Sequence, residues 1–284
     1  MDVRQPAFAG SWYPDTAAAC EREIRELTAG QGAWDGGGVV LGGIVPHAGW
    51  FFSGRIAARV VQALAREVRP DAVVIFGMHL HPGAQPVIMT RGAWGTPLGN
   101  LPIAVDLARE LLRRLRFDTE DPGDHNRDNT IELQLPFVRH FLGPVPILPI
   151  GVPPAPLALE IADALADAAQ EAGLRLQVIG STDLTHYGPN YGWTSRGLGA
   201  KAVGWVKADN DRRMVDAILA LDPRRVIQEG LSHRNACCAG AAAAALQTAK
   251  RLGATSGDLL AYTTSYDKQP GDSFVGYAGI VLAG

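Results

Sequence analysis

The chain has 284 residues, 47% hydrophobic and 19% charged, with a formal net charge of -3. That is enough apolar material for a sizeable core, with no basic field for nucleic acid or an anionic membrane and no apolar run long enough to span a bilayer. Residues 1–6 carry no signal-peptide pattern, and three cysteines, two of them adjacent, make no disulfide framework, so a reducing, cytoplasmic setting is expected.

In chain order, Ala9-Gly10-Ser11-Trp12-Tyr13-Pro14 reads as an aromatic turn before a helix over 17–27, with Asp15 or Thr16 as its N-cap. Trp12 and Tyr13 either line a pocket or plug a core edge. The apolar run 39–45 reads as a buried strand stopped by Pro46, which leaves His47 just past its carboxyl end. Ser53 is expected to cap the following helix, whose apolar positions are Ile56, Val60, Val61 and Leu64. The next buried strand, 72–77, again runs into histidines, His79 and His81. If the chain there is extended, the two point to opposite sides and one of them faces the site. Two strand-end histidines in consecutive β-α-β units favour a metal site over turn-bonding imidazoles.

An antiparallel strand at 86–89, a turn at 94–99 and a helix at 105–115 come next. The polar loop 121–129 contains His125, either facing the site or solvated, and leads into a helix capped within 128–130. Strands at 145–150 and 176–180 flank an Ala/Leu-rich helix at 157–172. The second of these strands delivers Ser181-Thr182-Asp183-Leu184-Thr185-His186-Tyr187-Gly188, a polar cluster that needs partners or a ligand to be tolerable at a strand end. Helices are expected at 201–221 and 223–229. Cys237 and Cys238 then precede a helix of small residues over 241–249, an entrance that favours thiolate. Either sulfur can bind metal, although Cys238 reads more simply as packing. Strands at 259–264 and 276–282 finish the chain. Alternating strands and helices predict an α/β fold, a mostly parallel or mixed central sheet with helices on both faces.

Arg4 with Ala9–Pro14, Pro46-His47-Ala48-Gly49, Thr96-Pro97-Leu98-Gly99, Ile131-Glu132-Leu133-Gln134-Leu135-Pro136 and Ser181–Gly188 together resemble, in order, the Memo family, which includes the AmmeMemoRadiSam system protein B group. The resemblance spans nearly the whole chain and implies a single three-layer domain over 1–284, similar in fold to class III extradiol dioxygenases. It implies His47 as first metal ligand, a second in the Gly77–His81 turn, and Cys237 as thiolate ligand. His186 would be the acid/base residue, with Asp183 beside it. The family histidine of the second turn falls on Leu80, so His79 or His81 must replace it, and His81 is favoured here. The family's Glu-His-Ser-Ile-Glu reads Asp128-Asn129-Thr130-Ile131-Glu132, so Asn129 stands for a site histidine that His125 could replace.

The implied function is a metal-dependent oxidoreductase of dioxygenase type, with Fe(II) first and Cu or Zn as alternatives, since a thiolate softens the site. Two rivals are a zinc-dependent hydrolase and a non-catalytic peptide or phosphopeptide module. Trp12, Trp50, Phe51 and Tyr187 are candidate walls of an aromatic pocket for a small substrate. A homo-oligomer is compatible with all three readings.

Overall fold

A computed structural model describes residues 2–30, 32, 34–66, 69–124 and 126–284. In chain order the elements are β1 (Val3–Arg4), α1 (Ala17–Thr28), β2 (Val40–Val45), α2 (Trp50–Leu64), β3 (Ala72–Gly77), β4 (Val87–Met89), β5 (Ala93–Trp94) and β6 (Leu101–Pro102). There follow α3 (Val105–Arg114), β7 (Asp118–Glu120), α4 (Asn129–Glu132), α5 (Leu135–Phe141), β8 (Ile147–Gly151), α6 (Leu157–Ala172) and β9 (Leu176–Ser181). The last are β10 (His186–Tyr187), α7 (Gly199–Trp205), α8 (Asp211–Leu219), α9 (Pro223–His233), α10 (Ala239–Arg251), β11 (Ser256–Thr264) and β12 (Phe274–Ala283). Thr16 caps α1, and Asp128 caps α4 by accepting from the Ile131 N–H.

The central sheet is mixed, in the order β10-β12-β2-β9-β3-β8-β4-β7, with β11 on the far edge of β12. Strands β2, β9, β3 and β8 are parallel, β12 runs against its neighbours, and β4 runs against β8 but parallel to β7. Side chains alternate between the faces. Val74 and Phe76 pack under α3, α6, α8, α9 and α10, and Val73 and Ile75 under α1, α2 and α5. Burying each of these side chains is worth about 1.5–3 kcal/mol.

Two glycines set how closely the flanking helices lie. A Cβ on Gly43 would meet Val60 of α2 at 2.4 Å, and one on Gly180 would meet Ala245 of α10 at 2.8 Å. Helix α10 is buried all round, with Ala241 to Ala245 inaccessible, so its small residues are what let it sit between the sheet and α6.

Helix α2 starts earlier than its sequence suggests. Gly49 is the N-cap, and Ser53, one turn inside, donates its hydroxyl to Ala48 O at 3.0 Å. Trp50 draws the start back: it stacks on Phe137 at 4.2 Å, and its N–H bonds Trp12 O at 2.9 Å.

The N-terminal segment is tied down by two acids. Glu132 accepts from the Ala7 and Phe8 N–H groups and from the Tyr13 hydroxyl. Arg4, stacked over Trp94, pairs with Glu120 at 2.7 Å. No helix among the described residues is long and apolar enough to cross a membrane.

Candidate metal centre

The strand order β2-β9-β3 decides which residues meet. The chain leaves β2, crosses by α2 to β3, and later inserts β9 between them, so three parallel strands end side by side. Ligands bind at such a switch point, outside the carboxyl ends. His47 follows β2, His79 follows β3, and Asp183 follows β9. The entrance of α10 arrives from the side: the Cys237 N–H bonds Asp183 O and the Cys238 N–H bonds the Thr182 hydroxyl.

Four donor atoms converge there. The ligand atoms of His47, His79, Cys237 and Cys238 all lie within 4.8 Å of one another. His47 Nε2 is 3.2 Å from Cys237 Sγ, Cys238 Sγ is 3.3 Å from His79 Nδ1, and the two sulfurs are 3.8 Å apart. A tetrahedral ion with bonds of about 2.0–2.3 Å spaces its ligand atoms about 3.3–3.8 Å apart. Three of the donor pairs match that spacing and the others lie within 4.8 Å, so the set suits a metal ion with at most small side-chain adjustment.

Hydrogen bonds around His47 fix its orientation. The Ser181 hydroxyl spends its only proton on Thr130 O at 2.6 Å, so at 3.0 Å from His47 Nδ1 it must accept. Nδ1 thus carries hydrogen, and Nε2 is the atom offered to the cluster. Asn129 Nδ2 donates to His47 O and Gln134 Nε2 to Pro46 O, holding the turn from α4 and α5. Asn129 is therefore a structural donor to this turn as well as part of the cavity wall.

Asp183 accepts the His47 N–H through Oδ1 at 2.8 Å, while its Oδ2 lies 3.9 Å from His47 Nε2 and 3.8 Å from His186 Nε2. His186 Nε2 is buried with no hydrogen-bond partner among the described residues. The segment bearing Asp183 and His186 is braced from behind. Asn210 and Asp211, at the end of a wide helical turn over 206–210, bond the Thr185 hydroxyl and the Thr185 N–H.

These contacts polarise the cluster. Burial opposes charging His47, but the Cys237 sulfur and Asp183 outweigh it and hold the imidazole up at about 9. Burial likewise opposes charging His186, and the nearby Asp183 carboxylate and Cys237 sulfur raise it to about 10. Burial alone would raise Cys237, yet the Cys238 thiol and the two imidazoles bring it well below the ordinary thiol value. Cys238 moves the other way, raised by burial and by the neighbouring sulfur. The directions favour thiolate at Cys237 and thiol at Cys238.

A cavity of about 530 Å³ opens onto this cluster. His47, His79, Asn129, Asp183 and His186 reach it, and Trp12, Phe51, Phe52, Tyr191 and Tyr277 form its aromatic wall.

Several sequence expectations are corrected. His81 lies on an exposed turn, where it accepts the Gly83 N–H at 3.2 Å, and it is His79 that reaches the sulfurs. The reason is Met78, held at φ 65° in the left-handed region, with its N–H on the Thr130 hydroxyl. One of the two histidines thus faces the donor cluster and the other faces solvent. Trp50, 1% exposed, bonds Leu133 O in the core, and Tyr187, 0% exposed, bonds Gly197 O; neither lines the cavity. Cys238 belongs to the donor cluster as well as to the packing. His125 lies outside the described residues. Phe52, Tyr191 and Tyr277 were missed; Tyr191 lies just past the Ser181–Gly188 motif and packs against His186 at 4.9 Å, whereas Tyr277 comes from the last strand, with no motif to mark it.

The Memo family profile, described as Memo-like protein, matches residues 4–281. The chain belongs to the Memo family. A MEMO1 family protein of Methanosarcina mazei is 35% identical over 288 residues, covering 99% of this chain and 100% of the relative. Another, from Pyrococcus furiosus, is 30% identical over 289 residues, covering 99% of each. Among solved structures, an uncharacterized Escherichia coli K12 protein aligns with a TM-score of 0.53 at 13% identity, over 80% of this chain and 92% of its own. That likeness supports the three-layer Memo fold alone.

Proposed function

We propose that this Memo family protein is a metal-dependent oxidoreductase for a small substrate with aromatic character. His47, His79 and Cys237 would hold the ion. The observation that carries the reading is the convergence of these donors, beside the unpartnered His186 Nε2, at an aromatic-walled cavity. A bound redox-active ion, iron or copper, would supply electron transfer between substrate and oxidant.

The chain's own groups handle binding and protons. Trp12, Phe51 and Tyr191 present faces on which a flat substrate can stack. His186, charged at neutral pH, has a proton to deliver through Nε2 and no competing partner for it. Asp183 Oδ2 sits between the two imidazoles, where it steadies the charge of His186 and orients the His47 turn.

The same spacing suits Zn²⁺, which keeps a hydrolase as the second reading. The deciding experiment is anaerobic metal analysis of wild type and Cys237→Ala, followed by O₂-uptake assays with phenolic substrates on Fe(II)-, Cu(I)- and Zn(II)-loaded protein. Metal lost in Cys237→Ala, with O₂ uptake on the iron or copper forms only, is the expected result. Turnover by the zinc form without O₂ would replace the oxidoreductase by the hydrolase. Peptide binding with no metal at all would overturn both.

A further inference from the structure

We infer that Cys238 is a fourth metal donor, making this a two-sulfur site that selects soft ions such as copper(I) over iron(II). The inference rests on the metal-site reading above and deepens it. A cysteine kept for packing surrounds its sulfur with carbon, as Cys20 does in the apolar cluster with Ile24 and Trp50. The Cys238 sulfur instead faces His79 Nδ1 at 3.3 Å, Cys237 Sγ at 3.8 Å and Met78 O at 3.5 Å. Those neighbours are a ligand nitrogen, a ligand sulfur and a carbonyl that accepts a hydrogen bond from the thiol, whose proton is released to solvent when a metal binds the sulfur.

The positions are rigidly set. The Cys238 N–H is held by the Thr182 hydroxyl at 3.0 Å, and the residue is the N-cap of α10, whose body is pinned against β9. Cys238 is 3% exposed and does not line the cavity, so its sulfur would approach the ion from the protein side and leave the cavity side to substrate. Two sulfurs with two imidazoles form a softer set than one sulfur with two imidazoles. Thiolates favour copper(I) and zinc, whereas Fe(II) oxygenase sites use carboxylate with two histidines.

Cobalt(II) reports the number of sulfurs directly, because its sulfur-to-metal charge-transfer band grows with each thiolate bound. Wild type, Cys238→Ala, Cys238→Ser and Cys237→Ala would be loaded anaerobically with Co²⁺ and then titrated with copper(I) and iron(II) against chelators. The expected band of Cys238→Ala and Cys238→Ser is about half that of wild type, at one Co²⁺ per chain. Their copper(I) affinity should fall by more than the roughly 10-fold typical of losing an outer-shell partner, with iron(II) affinity little changed. Serine keeps the size and the bond to Met78 O, so a folded Cys238→Ser protein tests the idea even where alanine fails to fold. A band of wild-type intensity in both variants overturns the fourth donor and leaves the three-donor site standing. A wild-type band in Cys237→Ala instead overturns the site itself.

Discussion

Two buried carboxyls, both inside family motifs, have opposite surroundings. Glu132 is saturated: two backbone N–H groups and a tyrosine hydroxyl converge on it. Asp183 is bonded through Oδ1, while Oδ2 faces two imidazole nitrogens at 3.8 and 3.9 Å, beyond hydrogen-bond length. The first fastens the N-terminal segment to α4; the second leaves an acceptor free where protons and ions can come and go. A motif residue is structural or chemical according to whether its polar atoms are already spoken for.

The strongest way to break this contrast is Glu132→Ala. It strands two buried donors, the Phe8 N–H and the Tyr13 hydroxyl, and the part-buried Ala7 N–H, and with roughly 1–3 kcal/mol per unsatisfied buried group the expected loss is about 3–5 kcal/mol. Urea unfolding followed by fluorescence checks it, and a loss below about 1 kcal/mol would mean the N-terminal segment finds other partners.

Asp211 sharpens the contrast as an intermediate case. Both its oxygens are bonded, to the Thr185 N–H and the Tyr262 hydroxyl, yet burial still pushes it up from 3.8 to about 6. A carboxyl raised in the folded state binds more protons there than in the unfolded chain. Stability should therefore fall as pH rises from about 4 to about 6, by about 3 kcal/mol from this group. Asp211→Asn should flatten that part of the pH profile of the urea midpoint; an unaltered slope would assign it to another group.

Asp183→Asn should cost about 1 kcal/mol or less, because the amide oxygen can still accept the His47 N–H. Its effect should appear instead as altered metal affinity and a lowered His186 pKa in NMR titration. Stability loss as large as that of Glu132→Ala would erase the distinction. The smallest effect is expected of His81→Ala, within about 0.5 kcal/mol in stability and with unchanged metal content. His79→Ala should lose the metal, and the reverse outcome would return the ligand role to His81.

What could be read from the sequence follows from backbone regularity. His47, Asp183 and His186 were reachable because parallel strands bring their carboxyl ends to one rim. The family histidine falls on Leu80, between His79 and His81, so the sequence did not choose between them, and the left-handed Met78 that precedes His79 leaves no mark in the sequence. Tyr187 sits next to His186 in β10, and neighbours in a strand face opposite ways, so its burial was foreseeable. Trp50 was not: Phe51 beside it is 62% exposed, and only the stack on Phe137 tells them apart. Cys238 was hidden by its setting, since a run of small residues looks like packing until the sulfur's neighbours are seen.

The thin seam between β9 and α10 works as a spacer gauge for the sulfurs. Because Gly180 and Ala245 already touch at the limit of what a side chain allows, the helix has one resting height above the sheet. A single methyl added there, on a residue that donates nothing to an ion, would lift the cysteines away from the histidines. The tuning of this centre thus extends to residues that carry no chemistry, and a drift in ion preference among relatives should be sought in their glycines and alanines as well as in the donors themselves.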